Sequence, residues 1–125
     1  MVLTKELIID KCKKENFNEI KNVNLWGNEL SDMTMIRQLP NIEVVSLSVN
    51  KISTLVDFSY CTKIQELYLR KNQIQDIREV RHLSNLKNIK VLWLSDNPCS
   101  TIENYRLYIV KMLPQLIKID SHEIT

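Results

Sequence analysis

A frame of apolar residues recurs four times along the chain, in register with four asparagines. These are Asn28, Asn50, Asn72 and Asn97, which follow one another after 22, 22 and 25 residues. Apolar residues stand eight, five and three positions before each asparagine and two positions after it. Such a period predicts stacked structural units, because no single unit of that size can bury its apolar face alone.

Each unit predicts a short strand, a turn and a convex segment. Apolar residues that alternate with outward ones, such as Val45 and Leu47, are typical of a strand with one face in the core. The asparagine side chain can satisfy backbone groups at the turn, so we predict that the four asparagines stack in a ladder. Later apolar residues at steps of three suit 3-10 or irregular turns. The prediction is an α/β solenoid with a short parallel concave sheet.

The two ends of the chain predict a helical cap on each side of the repeats. We expect one domain over 1–125, with an N-terminal cap at 1–19, four repeats at 20–98 and a C-terminal cap at 99–125. Thr4 is a predicted N-cap of the first helix. Ser100 and Glu103 have the spacing of a capping box for the second helix, which Pro114 ends. The predicted apolar face of that helix comprises Ile102, Tyr105, Ile109, Met112 and Leu113.

Composition argues against several classes of function. The formal net charge of +2 gives little reason to expect nucleic acid or an anionic membrane as partner. The three cysteines are scattered, which fits neither a disulfide framework nor a zinc cluster and favours the reducing cytoplasm. With one glycine there is no glycine-rich phosphate loop, and neither histidine shares an evident pocket with a cysteine or serine. We expect a monomeric, non-catalytic domain without cofactor or metal.

Outward strand positions form the predicted binding face. Both tryptophans and one of the four tyrosines fall there, although folding gains nothing from exposing them. Trp, Tyr and Arg dominate protein interfaces, so we predict a hot spot of Trp26, Tyr68, Arg70 and Trp93. The wider concave face is predicted to include Asn24, Val44, Ser46, Ser48, Glu66, Val91 and Ser95.

Two other roles for the aromatic residues stay open. The rings could pack against one another, and Trp26 could cover the N-terminal helix. They could also stack on nucleic-acid bases, although few lysines and arginines accompany them on this face.

Residues outside the apolar frame carry a resemblance to a known family. The more specific of them are Trp26-Gly27, Leu47-Ser-Val-Asn50 and Val91-Leu-Trp-Leu94. The period resembles the SDS22-like class of leucine-rich repeats, and the chain is similar to the N-terminal domain of the cilia- and flagella-associated protein 410 family. That resemblance implies a protein-binding scaffold of the basal body or axoneme, with a NIMA-related ciliary kinase as a partner. Family members are longer, so we expect the chain to correspond to the repeat domain alone.

A second family resembles the chain at its caps. The spliceosomal U2 A-prime family resembles it in the opening Thr4-Lys-Glu-Leu-Ile8 and in Tyr105-Arg-Leu-Tyr108. It lacks Trp26-Gly27 and Leu47-Ser-Val-Asn50. The alternative functions are therefore a ribonucleoprotein component of that kind, or a regulatory subunit of a phosphatase or kinase.

Overall fold

One sheet runs through the whole molecule, and its strand order follows the chain. The computed structural model describes residues 1–124, so Thr125 of the predicted C-terminal cap lies outside the described residues. Strands β1 to β5 pair in parallel, and β6 pairs antiparallel to β5. The strands are β1 (Asn22–Asn24), β2 (Val44–Ser46), β3 (Glu66–Tyr68), β4 (Val91–Trp93), β5 (Lys118–Ile119) and β6 (His122–Glu123).

The strands pair in the register that the repeats predict. Val23, Val45, Leu67 and Leu92 stand opposite one another in successive strands, and all four are buried. A 3-10 helix precedes each of the strands β1 to β4, and a further one follows β4. The 3-10 helices span Phe17–Glu19, Thr34–Gln38, Val56–Tyr60, Ile77–Leu83 and Pro98–Thr101. The predicted solenoid with a parallel sheet and convex 3-10 turns is confirmed.

The two cysteines placed in the core by the repeat frame are buried there. Cys61 and Cys99 are both inaccessible to solvent. Burial raises the pKa of the Cys61 thiol to about 12 and that of Cys99 to about 11. Both side chains therefore remain neutral thiols at physiological pH and act as small apolar residues.

Asn50 bridges two neighbouring repeats at the bend after β2. Its Oδ1 accepts hydrogen bonds from the amides of Asn28 at 3.1 Å and Leu30 at 2.9 Å. Its Nδ2 donates to the carbonyls of Leu25 at 3.0 Å and Leu47 at 2.9 Å. Asn50 is 7% exposed, so these backbone groups have little access to water and depend on the Asn50 side chain for their hydrogen bonds.

The same bridge recurs in the next two repeats, and the first repeat departs from it. Asn72 and Asn97 are buried and bond to backbone groups of their own repeat and the preceding one. Asn28 is half-buried, and within residues 1–124 its Nδ2 donates only to the Trp26 carbonyl. Residues 1–19 form no repeat that could supply a second set of partners, so Asn28 is not a full member of the ladder.

A short helix lies against the first repeat at the N-terminal end. The first helix, α1, spans Lys5–Cys12, and the Thr4 hydroxyl accepts a hydrogen bond from the Leu7 amide at 3.1 Å. Ile8 is buried against the first repeat, and α1 packs beside β1. The helix therefore covers the apolar end of the solenoid.

The predicted capping box of the C-terminal helix is wrong. Ser100 lies inside the 3-10 helix that Pro98 begins, and its hydroxyl donates to the Asn97 carbonyl at 2.7 Å. The second helix, α2, starts only at Tyr105 (Tyr105–Met112), after Asn104 turns the chain with a positive φ of 64°. Ile102 consequently lies before the helix and is 46% exposed, not on its apolar face. The helix ends before Pro114, as predicted.

Asp120 closes the sheet at its C-terminal end. One of its carboxylate oxygens accepts hydrogen bonds from the amides of Leu94 at 2.8 Å and Ser95 at 2.9 Å. The other accepts the hydroxyl of Tyr105, and both side chains are buried. Asp120 thereby connects the ends of β4 and β5 to α2. Its carboxylate supplies the hydrogen-bond acceptors that a further full repeat would otherwise supply.

Replacing Tyr105 by phenylalanine is expected to lower the free energy of unfolding by about 1 kcal/mol, because Asp120 loses a buried donor. Urea unfolding followed by circular dichroism measures the change. Tyr108→Phe is the matched control, since that tyrosine lies on the same helix and its hydroxyl has no hydrogen-bond partner within residues 1–124. Equal midpoints for the two variants would contradict a stabilising role for the Tyr105 hydroxyl.

Glu79 connects the convex segment of the third repeat to that of the second. Its carboxylate accepts hydrogen bonds from the Thr54 hydroxyl at 2.6 Å and the Leu55 amide at 3.0 Å. Burial acts to raise the pKa of Glu79, but these hydrogen bonds, with the charges of His82 and Arg81, hold it below its ordinary value of 4.5. The stability that Glu79 contributes is therefore complete above about pH 4.5 and is lost as the pH falls through the folded pKa.

The Glu79→Gln variant is accordingly expected to lose less stability on acidification than the wild-type chain. Urea midpoints measured between about pH 6 and pH 3 report this difference. Parallel curves for the two proteins would show that the carboxylate does not contribute to folding through its ionised form.

Candidate protein-binding face

The outward residues of the strands form columns across the sheet. Asn24, Ser46, Tyr68 and Trp93 stand opposite one another in successive strands. The pairing continues past the strand ends, since the Gly27 amide donates to the Ser48 carbonyl at 3.1 Å. This places a second column beside the first, made of Trp26, Ser48, Arg70 and Ser95.

Six of the predicted residues surround one open depression of about 250 Å³, which we call the slot. The serines of the second repeat form its floor, because their short side chains lie between bulky neighbours on both sides. Trp26 stands on one side and is 63% exposed. Tyr68 and Trp93 stand on the other side and are half-buried. The full lining is Trp26, Ser46, Ser48, Tyr68, Arg70 and Trp93.

The Tyr68 and Trp93 rings pack against each other and are held in place. Their centroids are 6.3 Å apart at an interplanar angle of 41°, a tilted aromatic pair. The Trp93 Nε1 donates to the Ser95 hydroxyl at 2.6 Å, and the Tyr68 hydroxyl donates to the Glu66 carboxylate. That hydrogen bond, together with burial, raises the pKa of Tyr68 to about 12, so the phenol stays protonated.

The arginine of the slot is paired with an aspartate beside it. Arg70 Nε lies 2.9 Å from Asp96 Oδ2, with both side chains about half exposed. Glu66 lies next to the slot and accepts a hydrogen bond from the neutral Tyr68 phenol, so that bond is not a charge pair. The slot lining therefore offers aromatic surface, hydroxyl groups and one charged side chain, which is already paired.

The remaining predicted residues lie around the slot without lining it. Asn24 uses its side-chain oxygen to accept the Trp26 amide at 3.2 Å, which fixes the turn that carries that ring. Val44 is half-buried in the outermost column. Val91 lines a separate depression of about 290 Å³ with Ile117, Lys118, Glu123 and Ile124. Glu66 and Ser95 act through the aromatic side chains that they hold.

Sequence reasoning missed two charged pairs. The pair of Arg70 and Asp96 could have been found from the repeat register, which places the two residues diagonally across neighbouring strands. Opposite charges attract at such positions. On the convex side, Arg37 Nε lies 2.8 Å from the buried carboxylate of Asp57, and its guanidinium lies 4.2 Å above the ring of Tyr60. No sequence motif marks that cluster, since its members come from different repeats.

Within residues 1–124, no three His, Cys, Asp or Glu side chains are grouped as metal ligands. Over the same residues, neither helix has the length and apolar content needed to cross a bilayer.

Comparison with known proteins agrees with this architecture. Cilia- and flagella-associated protein 410 of Homo sapiens is 37% identical over 100% of this chain and 50% of its own length. Acidic leucine-rich nuclear phosphoprotein 32 family member A of Drosophila melanogaster is 30% identical, over 94% of this chain and 48% of its own length. The chain thus spans about half of each relative.

Among solved structures, a chain of the Drosophila melanogaster SNF/U2A' complex matches with a TM-score of 0.76. It is 21% identical and covers 100% of this chain and 86% of its own, which shows a shared fold. The family model for the leucine-rich repeat matches residues 5–125. The repeat frame, the solenoid and these matches together establish that the chain belongs to the leucine-rich-repeat family.

Proposed function

We propose that this domain is a non-catalytic scaffold that binds a partner protein across its concave face. The observation that carries the proposal is the aromatic slot, in which Trp26, Tyr68 and Trp93 surround small polar residues. An exposed tryptophan adds nothing to folding, whereas desolvating it in a complex contributes strongly to affinity. The one arginine of the slot is paired with Asp96, which disfavours nucleic acid, because nucleic acid binds through clusters of unpaired Lys and Arg.

The proposed setting is the cilium or flagellum, at the basal body or axoneme. Its support is the full-length match of this chain to cilia- and flagella-associated protein 410. A NIMA-related ciliary kinase is the partner that this family resemblance suggests. Assembly with such a kinase would make the domain a docking platform, since its own slot holds no paired acid and base for catalysis.

A tagged copy expressed in a ciliated or flagellated cell tests the setting. Signal at basal bodies or along axonemes is expected. Signal confined to the nucleus would contradict the ciliary proposal and would favour a ribonucleoprotein or nuclear role, for which the similarity to a nuclear phosphoprotein is the support. Recovery of the tagged chain in fixed ratio with a phosphatase or kinase elsewhere in the cell would instead favour a regulatory subunit.

A further inference from the structure

We propose that the slot receives one tyrosine side chain of the partner protein. This inference rests on the proposed function, because it names the group that the concave face recognises. It follows from the size of the slot, its aromatic lining, the state of its charges and the two hydroxyls on its floor.

The slot is sized for one side chain. Its volume of about 250 Å³ lies below the roughly 300–1,000 Å³ that is usual for sites of free small molecules. It is also open along one side, where Trp26 is largely exposed. An occupant therefore has to be attached to a larger surface that lies over the sheet and contributes the remaining binding energy.

The aromatic lining of the slot favours an aromatic occupant. Trp26 and Tyr68 stand on strand lines either side of that of Ser46 and Ser48. Together with Trp93 they border the same depression. A ring that enters it therefore meets aromatic side chains with which it can pack.

The charges of the slot disfavour a charged occupant. Arg70 is the one charged side chain among the lining residues, and it is held by Asp96. A lysine, arginine or carboxylate entering between the rings would give up its water and find no free counter-ion. The positive charge of Arg70 at the rim acts further against a cationic side chain. The occupant is therefore neutral.

The floor distinguishes tyrosine from the purely apolar side chains. Neither the Ser46 nor the Ser48 hydroxyl has a hydrogen-bond partner within residues 1–124, although both line the slot. Phenylalanine or leucine would displace water from these hydroxyls and leave them unsatisfied. A phenol both donates and accepts a hydrogen bond, so it can replace that water while its ring packs between the walls.

A peptide-display library selected on the immobilised domain supplies probes for the test. We expect peptides whose binding requires Trp93 to carry tyrosine at one shared position. Replacing that tyrosine by phenylalanine in a synthetic peptide is expected to raise the Kd about tenfold, measured by fluorescence anisotropy. On the Ser46→Ala/Ser48→Ala double variant, the tyrosine and phenylalanine peptides are expected to bind equally.

Filling the slot with a larger side chain of the domain itself provides a second test. Ser48→Leu should abolish binding of the tyrosine peptide, whereas Ser84→Leu, on the exposed convex side, should leave it unchanged. Peptides that depend on Trp93 but lack tyrosine, or that bind the same after its replacement by phenylalanine, would overturn the tyrosine assignment and leave the binding face in place. If no selected peptide depends on Trp93, the concave face itself is not the binding surface, and the proposed function fails with it.

Discussion

The Asn50→Ala variant is expected to lose about 3 kcal/mol of unfolding free energy. The substitution removes Oδ1, which accepts from the Asn28 and Leu30 amides, and Nδ2, which donates to the Leu25 and Leu47 carbonyls. All these groups lie at a buried bend. Each buried backbone group left without a partner costs about 1–3 kcal/mol, and partial access of water to the bend reduces the sum. Urea unfolding monitored by circular dichroism measures the difference from the wild-type chain.

Asn28→Ala is the matched control for that prediction. This asparagine holds the same place in its repeat, but it is half-buried and its side chain makes one bond, to the Trp26 carbonyl. Its removal should cost less than about 1 kcal/mol. Comparable losses for the two variants would mean that the ladder does not bridge repeats in the way described.

The Trp93→Ala variant is expected to weaken partner binding by about 30-fold or more, equivalent to about 2 kcal/mol. The ring forms one wall of the slot and supports Tyr68, so its loss opens the slot and frees the second ring. Isothermal titration calorimetry with the partner recovered by the wild-type domain measures the change in Kd. Circular dichroism checks that the variant remains folded.

Tyr60→Ala provides the comparison for Trp93→Ala, because it removes an exposed aromatic ring from the convex side. Its Kd is expected to equal that of the wild-type domain. Unchanged binding by Trp93→Ala, or an equal loss in both variants, would place the binding surface elsewhere.

The sheet and its register could be predicted because they follow from a strict period. An alternating strand has one buried face, so Val45 and Leu67 must align or the core is lost. The same period placed Ser46, Tyr68 and Trp93 in one column. The alignment of these outward residues was therefore predictable from sequence spacing alone.

The C-terminal cap was not predictable in the same way, because no period governs it. Ser100 and Glu103 match a capping box, but Pro98 fixes an earlier 3-10 helix that takes up Ser100. The role of Asp120 depends on the amides of Leu94 and Ser95, just after β4, and on the Tyr105 hydroxyl, which the fold brings together from distant parts of the chain. Side-chain locks such as the bond from Trp93 to Ser95 likewise need three-dimensional geometry.

The lengthened third repeat has a practical consequence for engineering the domain. Its spacing of 25 residues, against 22 in the others, is accommodated by the seven-residue 3-10 helix Ile77–Leu83 and the turns after it. Tyr68 and Trp93 nevertheless stay directly opposite each other. Changes of length are thus absorbed on the convex side of the solenoid, so a spectroscopic label or grafted loop inserted near Ser84 would leave the columns of outward strand residues aligned.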